Sequence, residues 1–279
     1  MGQKDRPLFF HQSLFRATKF GTTPRAGFPG GSQGIRFNDR EQLRCRTFAE
    51  PADMEKPKNL NSGFLLLSSF LIAAAALFIF GWLAEEVLEG DTQRFDSFVR
   101  TAIHQHATPG LTRLMMGFSF IGSVATVSVL CLVILSAFLY FRRLRLAALL
   151  AITLLGMAAL DLILKSAFHR PRPVAFFGPS PSSYSFPSGH AFGALCFYGV
   201  LAAIFATRSH GKAAKWCIWI VAVLLIGMIG LSRIYLGVHY PSDVIAGYCA
   251  GAVWVGAVGF LDKILMHRRK AETEVQKNI

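Results

Sequence analysis

The sequence predicts an all-α, polytopic membrane protein: a bundle of six transmembrane helices with its active site at the outer membrane–water interface. Three observations predict it. The composition is 53% hydrophobic and only 16% charged, against about 45–50% and about 25% in an ordinary soluble domain. Six apolar stretches approach the roughly 20 residues that cross a bilayer as helix. Finally, the basic residues of the net +13 charge fall on alternate connections, as they do when Lys and Arg hold cytoplasmic loops in place. Disordered chains and small disulfide scaffolds are excluded by the hydrophobicity and by 5 Cys in 279 residues.

Residues 1–60 form the first element, a basic tail rich in Gly, Pro, Arg and Phe that is expected to be a disordered cytoplasmic extension. Met1–Asp53 carries 9 Lys+Arg and 5 Asp+Glu, net +4. It has neither the apolar core nor the cleavage site of a secretory signal. Met54, followed by Glu-Lys-Pro-Lys and then an apolar run, is a candidate native start. The six spans within a domain at 61–264 run from about Phe64 to Leu83, Leu114 to Phe141, Leu144 to Leu164, His190 to Ala206, Trp216 to Leu231 and Val244 to Leu261. Residues 265–279 form a second basic tail. Cys131, Cys196, Cys217 and Cys249 lie in apolar runs and Cys45 in the first tail. With no CxxC pair, they are expected to be packing thiols.

The charges orient the bundle. The N-terminal tail, the Arg142-Arg143-Leu-Arg145 loop, the loop with Arg208, Lys212 and Lys215, and the end with Lys263, Arg268, Arg269 and Lys270 share one side. The connection after the first span has Glu85, Glu86, Glu89, Asp91 and Asp96 against Arg94 and Arg100, net −3. Both termini are therefore expected in the cytoplasm. Lys165, Arg170, Arg172 and Arg233 break the rule, because they lie on the outer side.

Those exceptions sit in three segments with chemistry. In Lys165-Ser-Ala-Phe-His-Arg-Pro-Arg172-Pro173 a span-end Lys precedes an Arg held between two prolines. Lys165 alone reads as a snorkelling cation. In Pro187-Ser188-Gly189-His190 a Ser-Gly step opens a helix, where free N–H groups and the helix dipole favour an anion; Ser188 alone reads as a cap. In Ser232-Arg233-x5-His239-x3-Asp243 the four-residue spacing brings a carboxylate to an imidazole. Asp243 would fix the ring tautomer and free the other nitrogen for attack. Three cations, a helix start and two histidines at one membrane face call for a tetrahedral phosphate, with one histidine as nucleophile and the other as general acid. No carboxylate cluster or Cys/His set has metal-ligand spacing, so chemistry without metal or other cofactor is favoured. Asp161, four before Lys165, reads as its local partner. Arg170 could take a second phosphate or only the interface. His169 reads as structural or solvated, His104 and His106 as surface residues, and Val174–Tyr184 as a candidate lid.

These three segments resemble the tripartite signature of the type 2 phosphatidic acid phosphatase superfamily, K-x6-R-P, P-S-G-H and S-R-x5-H-x3-D, with no departure. The resemblance covers roughly residues 64–262. It implies metal-independent hydrolysis of a lipid phosphate or diphosphate, of the undecaprenyl diphosphate, phosphatidic acid or phosphatidylglycerol phosphate class, with lipid A 1-phosphate a further possibility. It also implies that His239 becomes the phosphohistidine, that Asp243 orients it and that His190 protonates the leaving oxygen. Lys165, Arg172, Ser188, the Gly189 amide and Arg233 would hold the phosphoryl oxygens. The expected setting is a bacterial inner membrane, with the site facing outward, a bilayer lipid as substrate and no role for nucleic acid. Competing readings are a lipid phosphotransferase of the same superfamily, a vanadium haloperoxidase, which six spans disfavour, and a non-catalytic lipid-binding or transport protein.

Overall fold

Apolar runs become helices here, and the residues that stop those helices build the outer face. The computed structural model describes residues 60–179 and 181–277; the expected tail at 1–59, with Cys45 and the Met54 start, lies outside them. Among the described residues there is no strand.

Helix α1 (Leu60–Glu89) outruns its expected end at Leu83. Ala84-Glu85-Glu86 are good helix formers, and the helix stops only at Gly90, which takes the left-handed φ of 87° that favours glycine. The acidic connection is not a loop: Gln93–His104 forms α2, an amphipathic helix that the span pattern did not indicate. Next come α3 (Pro109–Ile121) and α4 (Val124–Tyr140), which replace the expected continuous second span by a pair bent by 46°. The bend has a local cause. Gly122 ends α3, and Ser123 starts α4 by accepting the Thr126 N–H at 3.2 Å through its hydroxyl.

Helix α5 (Leu144–Phe168) ends at His169 in the left-handed conformation (φ 48°), and Pro171 and Pro173 keep the following chain extended. The fourth span is one helical run over Gly189–Arg208: α6 (Gly189–Ala194), a π turn at Leu195–Gly199, and α7 (Val200–Arg208). It is the central helix, with 56% of its apolar window buried against a third or less in the other single-helix spans. Helix α8 (Lys212–Tyr235) and helix α9 (Pro241–Lys277) complete the set; α9 continues through residues 265–277. Among the described residues five helices are long and apolar enough to cross a membrane, and the bent α3–α4 pair makes six.

The spanning helices turn large side chains outward. Phe70, Phe78, Leu155 and Val223 are all exposed, a surface suited to acyl chains. Inside, small residues bring backbones together. A side chain at Gly156 would collide with Trp254, whose indole N–H reaches the Thr153 carbonyl at 2.9 Å. A Cβ at Gly247 would lie 2.7 Å from the Ser188 carbonyl oxygen, so this glycine seats the start of α6 against α9. Cys131, Cys196, Cys217 and Cys249 are free thiols. The basic groups expected inside gather at one set of helix ends, where Arg145 pairs with Asp262. Lys165 and Arg233 occupy the last turns of α5 and α8, at the opposite set.

Candidate active site

Four chain segments converge at those opposite ends: the last turn of α5, the extended 169–188 loop, the start of α6, and the turn between α8 and α9. The last of these is shaped by Gly237 (φ 77°). A Cβ there would stand 2.6 Å from the Phe176 N, and the closeness lets Phe176 and Phe177 donate to the Leu236 carbonyl at 3.0 and 3.3 Å. The candidate lid is thus stapled to the turn at its first half. Arg100 adds a second staple, donating to the carbonyls of Val174 (2.9 Å) and Gly237 (3.4 Å). Burial draws its guanidinium below the ordinary arginine range, partly offset by Tyr240, Asp96 and Asp243.

His239 lies at the centre and is 1% exposed. Its Nδ1 faces Asp243 Oδ2 at 3.4 Å, and its Nε2 faces Arg172 Nη1 at 2.9 Å. A guanidinium only donates, so Nε2 accepts and the ring proton sits on Nδ1, towards the carboxylate. The lone pair at Nε2 therefore points at the cations. Burial pushes the His239 pKa down to about 4; Asp243 opposes this, and Arg172 and Arg233 add to it. Asp243, fully buried on the first turn of α9, also accepts the Tyr240 N–H at 2.9 Å, the N3 half of a capping box. Asp243 thus both caps α9 and contacts the imidazole.

The residues expected to bind an anion lie around this ring. Arg172 is anchored by Ser183, donating to its carbonyl (2.6 Å) and its hydroxyl (2.9 Å), and also donates to the Val238 carbonyl at 2.9 Å. Burial lowers its pKa from the ordinary arginine value. Arg233 is 8% exposed; Nη1 donates to Ser119 Oγ, while Nε has no partner among the described residues. Ser188 is fully buried, and among the described residues its Oγ neither caps α6 nor finds another partner; its N–H donates to the Asp243 carbonyl at 2.9 Å. The hydroxyl expected as a cap is thus left for something else. Lys165 Nζ donates to Asp161 at 2.7 Å, the expected local pair. Both heads press on Gly189, where a Cβ would come within 3.1 Å of Nζ and of an Asp161 oxygen. His190, next on α6, is within electrostatic reach of Arg233, His239, Lys165 and Arg172.

Lys165, Arg172, Ser188, Gly189, His190, Arg233, His239 and Asp243, from all three signature segments, thus gather at one set of helix ends. Three readings differ from the structure. His104 is not a free surface residue: its ring stacks on Phe176, centroids 3.8 Å apart, with Nδ1 buried. Arg170 faces two carboxylates rather than open interface. Asp96, read only as an outer-side charge, is completely buried; nothing in its sequence neighbourhood separates it from Asp91.

The PAP2 superfamily model matches residues 144–261, which hold all three segments. The chain is 32% identical over 193 residues to the phosphatidylglycerophosphatase B of Bacillus subtilis, covering 67% of this chain and 94% of that one. This chain belongs to the PAP2 superfamily. The crystal structure of a transmembrane PAP2-type phosphatidylglycerolphosphate phosphatase from Bacillus subtilis superposes with a TM-score of 0.62 at 26% identity, over 68% of this chain and 96% of that one. An undecaprenyl-diphosphatase of Sulfolobus acidocaldarius is 34% identical over 88 residues, 32% of this chain and 38% of the relative. As a PAP2 member with five or six apolar spans, the chain is an integral membrane protein of a lipid phosphatase family.

Proposed function

We propose that this PAP2 protein hydrolyses the phosphate or diphosphate of a membrane lipid at the outer face of a bacterial inner membrane, through a phosphohistidine on His239. The observation that carries the reading is the His239 ring itself, proton towards Asp243 and lone pair towards Arg172.

In the first step Nε2 attacks phosphorus and the bond from phosphorus to the lipid oxygen breaks, while His190 gives that oxygen its proton. Asp243 stabilises the positive charge the ring acquires. Lys165, Arg172, Arg233, the Ser188 hydroxyl and the Gly189 N–H hold the phosphoryl oxygens as charge spreads over them. In the second step water attacks phosphorus, His190 takes its proton, and the P–N bond breaks to release phosphate and the neutral ring. The residues named supply every proton and every stabilising charge, so the reaction needs no metal.

The substrate class follows from the setting. The exposed apolar flanks of the spanning helices suit a lipid tail. The relatives are named for phosphatidylglycerol phosphate and undecaprenyl diphosphate; phosphatidic acid shares their chemistry. The outward orientation rests on the basic residues gathered at the ends of α5, α7, α8 and α9 away from the site, which puts both termini in the cytoplasm. Residues 61–264 form the phosphatase domain in this reading, between cytoplasmic tails.

The test is phosphate release by purified protein in detergent with EDTA, from phosphatidic acid, phosphatidylglycerol phosphate and undecaprenyl diphosphate. Release from at least one supports the reading; none from any overturns it.

A further inference from the structure

Arg170 is the cation that breaks the orientation rule and yet touches none of the phosphate-binding groups. Both terminal nitrogens of its fork are used. Nη1 donates to Asp243 Oδ1 at 2.6 Å and Ser242 Oγ at 2.8 Å. Nη2 donates to Asp96 Oδ2 at 2.8 Å and Thr92 Oγ1 at 2.9 Å. The face of its guanidinium lies 4.2 Å from the Tyr240 ring centroid. Its side chain is 11% exposed, and those of Asp96 and Asp243 are 0% exposed.

Asp96 completes the frame. Its Oδ1 accepts the Ser242 N–H at 2.9 Å, one of the free donors at the start of α9. Its Oδ2 accepts the Ser242 hydroxyl at 2.7 Å. Helix α2 thereby grips the first turn of α9 twice, through the backbone and through Arg170. Asp243 is left with Oδ1 tied to Arg170 and Oδ2 turned to His239 and the Tyr240 N–H.

We propose that Arg170 and Asp96 are a positioning pair for the catalytic carboxylate, and that Arg170 is not a ligand for a second phosphate. The pair keeps Asp243 ionised and aims one oxygen at His239 Nδ1. The charges support this. Asp96, Arg170 and Asp243 together carry one net negative charge, buried beside the ring that becomes positive in the phosphohistidine step. Without Arg170, two buried carboxylates would face each other across Ser242 with no cation between them, and Asp243 would lose the contact that aims it at His239. The α2 helix, with no signature residue of its own, thus becomes part of the catalytic apparatus. The inference rests on the phosphohistidine reading above.

Steady-state kinetics of wild type, R170A, D96N, D243N and R170A/D243N tests it, on a monophosphate and a diphosphate lipid of the same chain. R170A is expected to lower kcat about 100-fold, the scale of a misaimed catalytic group. KM should stay within about twofold, and the loss should be equal on the two lipids. D96N should give a smaller loss of the same kind. In the D243N background, R170A should add no further loss, whereas a merely structural role would add its full cost. D96N preserves the shape of the frame and gives a reading even if R170A does not fold. A raised KM, a loss selective for the diphosphate, or full additivity with D243N overturns the proposal. H239A run alongside separates the two failures. An inactive wild type or an active H239A removes the phosphohistidine reading and this inference with it; an active wild type, a dead H239A and the wrong Arg170 pattern remove this inference alone.

Discussion

Arg172 Nη1 stands 2.9 Å from His239 Nε2, so the guanidinium proposed to hold the phosphate is hydrogen-bonded to the nitrogen proposed to attack it. Substrate oxygens have to draw it away while its Ser183 anchors keep it near. In the proposed mechanism, nucleophile and anion clamp are thus preassembled, and the phosphate inserts between them.

Replacing Arg172 removes the clamp and leaves the ring and its carboxylate in place. Arg172→Ala should raise KM at least 10-fold and lower kcat as well, because the arginine holds charge that grows towards the transition state. Arg172→Lys should recover only part of this, since an ammonium cannot reproduce the forked contact with Ser183. Steady-state kinetics in mixed micelles checks both; an unchanged KM in the alanine variant would remove Arg172 from the phosphate.

The tautomer of His239 makes Asp243→Asn a sharp change. A carboxamide has nearly the same shape, but its NH2 can donate to Nδ1, which moves the ring proton to Nε2 and blocks attack. The loss in kcat should be on the order of 10²–10⁴-fold with little change in fold. Circular dichroism together with the kinetics reads it. Near wild-type activity would mean that the carboxylate charge and the tautomer do not matter.

The pH dependence follows from burial of His239, whose pKa is pushed down to about 4. The free ring therefore stays neutral through pH 6.5, and its contribution to the acid limb of kcat/KM should lie well below the ordinary histidine value. Substrate ionisation measured separately by phosphorus NMR removes the other contribution. Stability moves with the same group. Between about pH 6.5 and 4 the unfolded ring binds a proton that the folded ring refuses, so this contribution is full above 6.5 and fades as pH falls. Thermal unfolding in detergent should occur at a lower temperature at pH 5 than at pH 7, and H239A should show less of that difference.

Two glycines near the site should separate binding from folding. A methyl at Gly189 meets the flexible head of Lys165 and the Asp161 carboxylate at 3.1 Å. Gly189→Ala should keep its melting temperature and raise KM. A methyl at Gly247 meets the Ser188 backbone carbonyl at 2.7 Å, which can shift only by moving α6. Gly247→Ala should lose about 1–3 kcal/mol of stability as well as activity. Equal melting temperatures for the two variants would contradict this account of how α6 is seated.

The apolar runs were enough to read the spanning helices, because apolarity is a summed property of many residues; the loop charges gave an expected side for the site in the same way. The signature segments were legible for a different reason: Lys165, Arg170, Arg172 and Arg233 are cations at the helix ends and connections where the charge pattern disfavours them. The sequence pattern was silent where one residue decides. The bend in the second span depends on Gly122 and Ser123, two small residues that an apolarity average passes over. Asp96 and Arg170 were illegible as a pair because their partnership spans 74 residues, and only the packing of α2 on α9 brings them together. Helix α2 itself was hidden, since its polar composition resembles that of a loop until its buried face is known.

Rapid acid-free quenching of the enzyme during turnover, followed by mass spectrometry of its peptides, tests the central claim most directly. The account predicts an acid-labile phosphate on His239, absent from H239A and accumulating when His190 is replaced by Ala with a substrate whose leaving group needs no proton. Phosphate carried by any other residue, or full turnover by H239A, would contradict it.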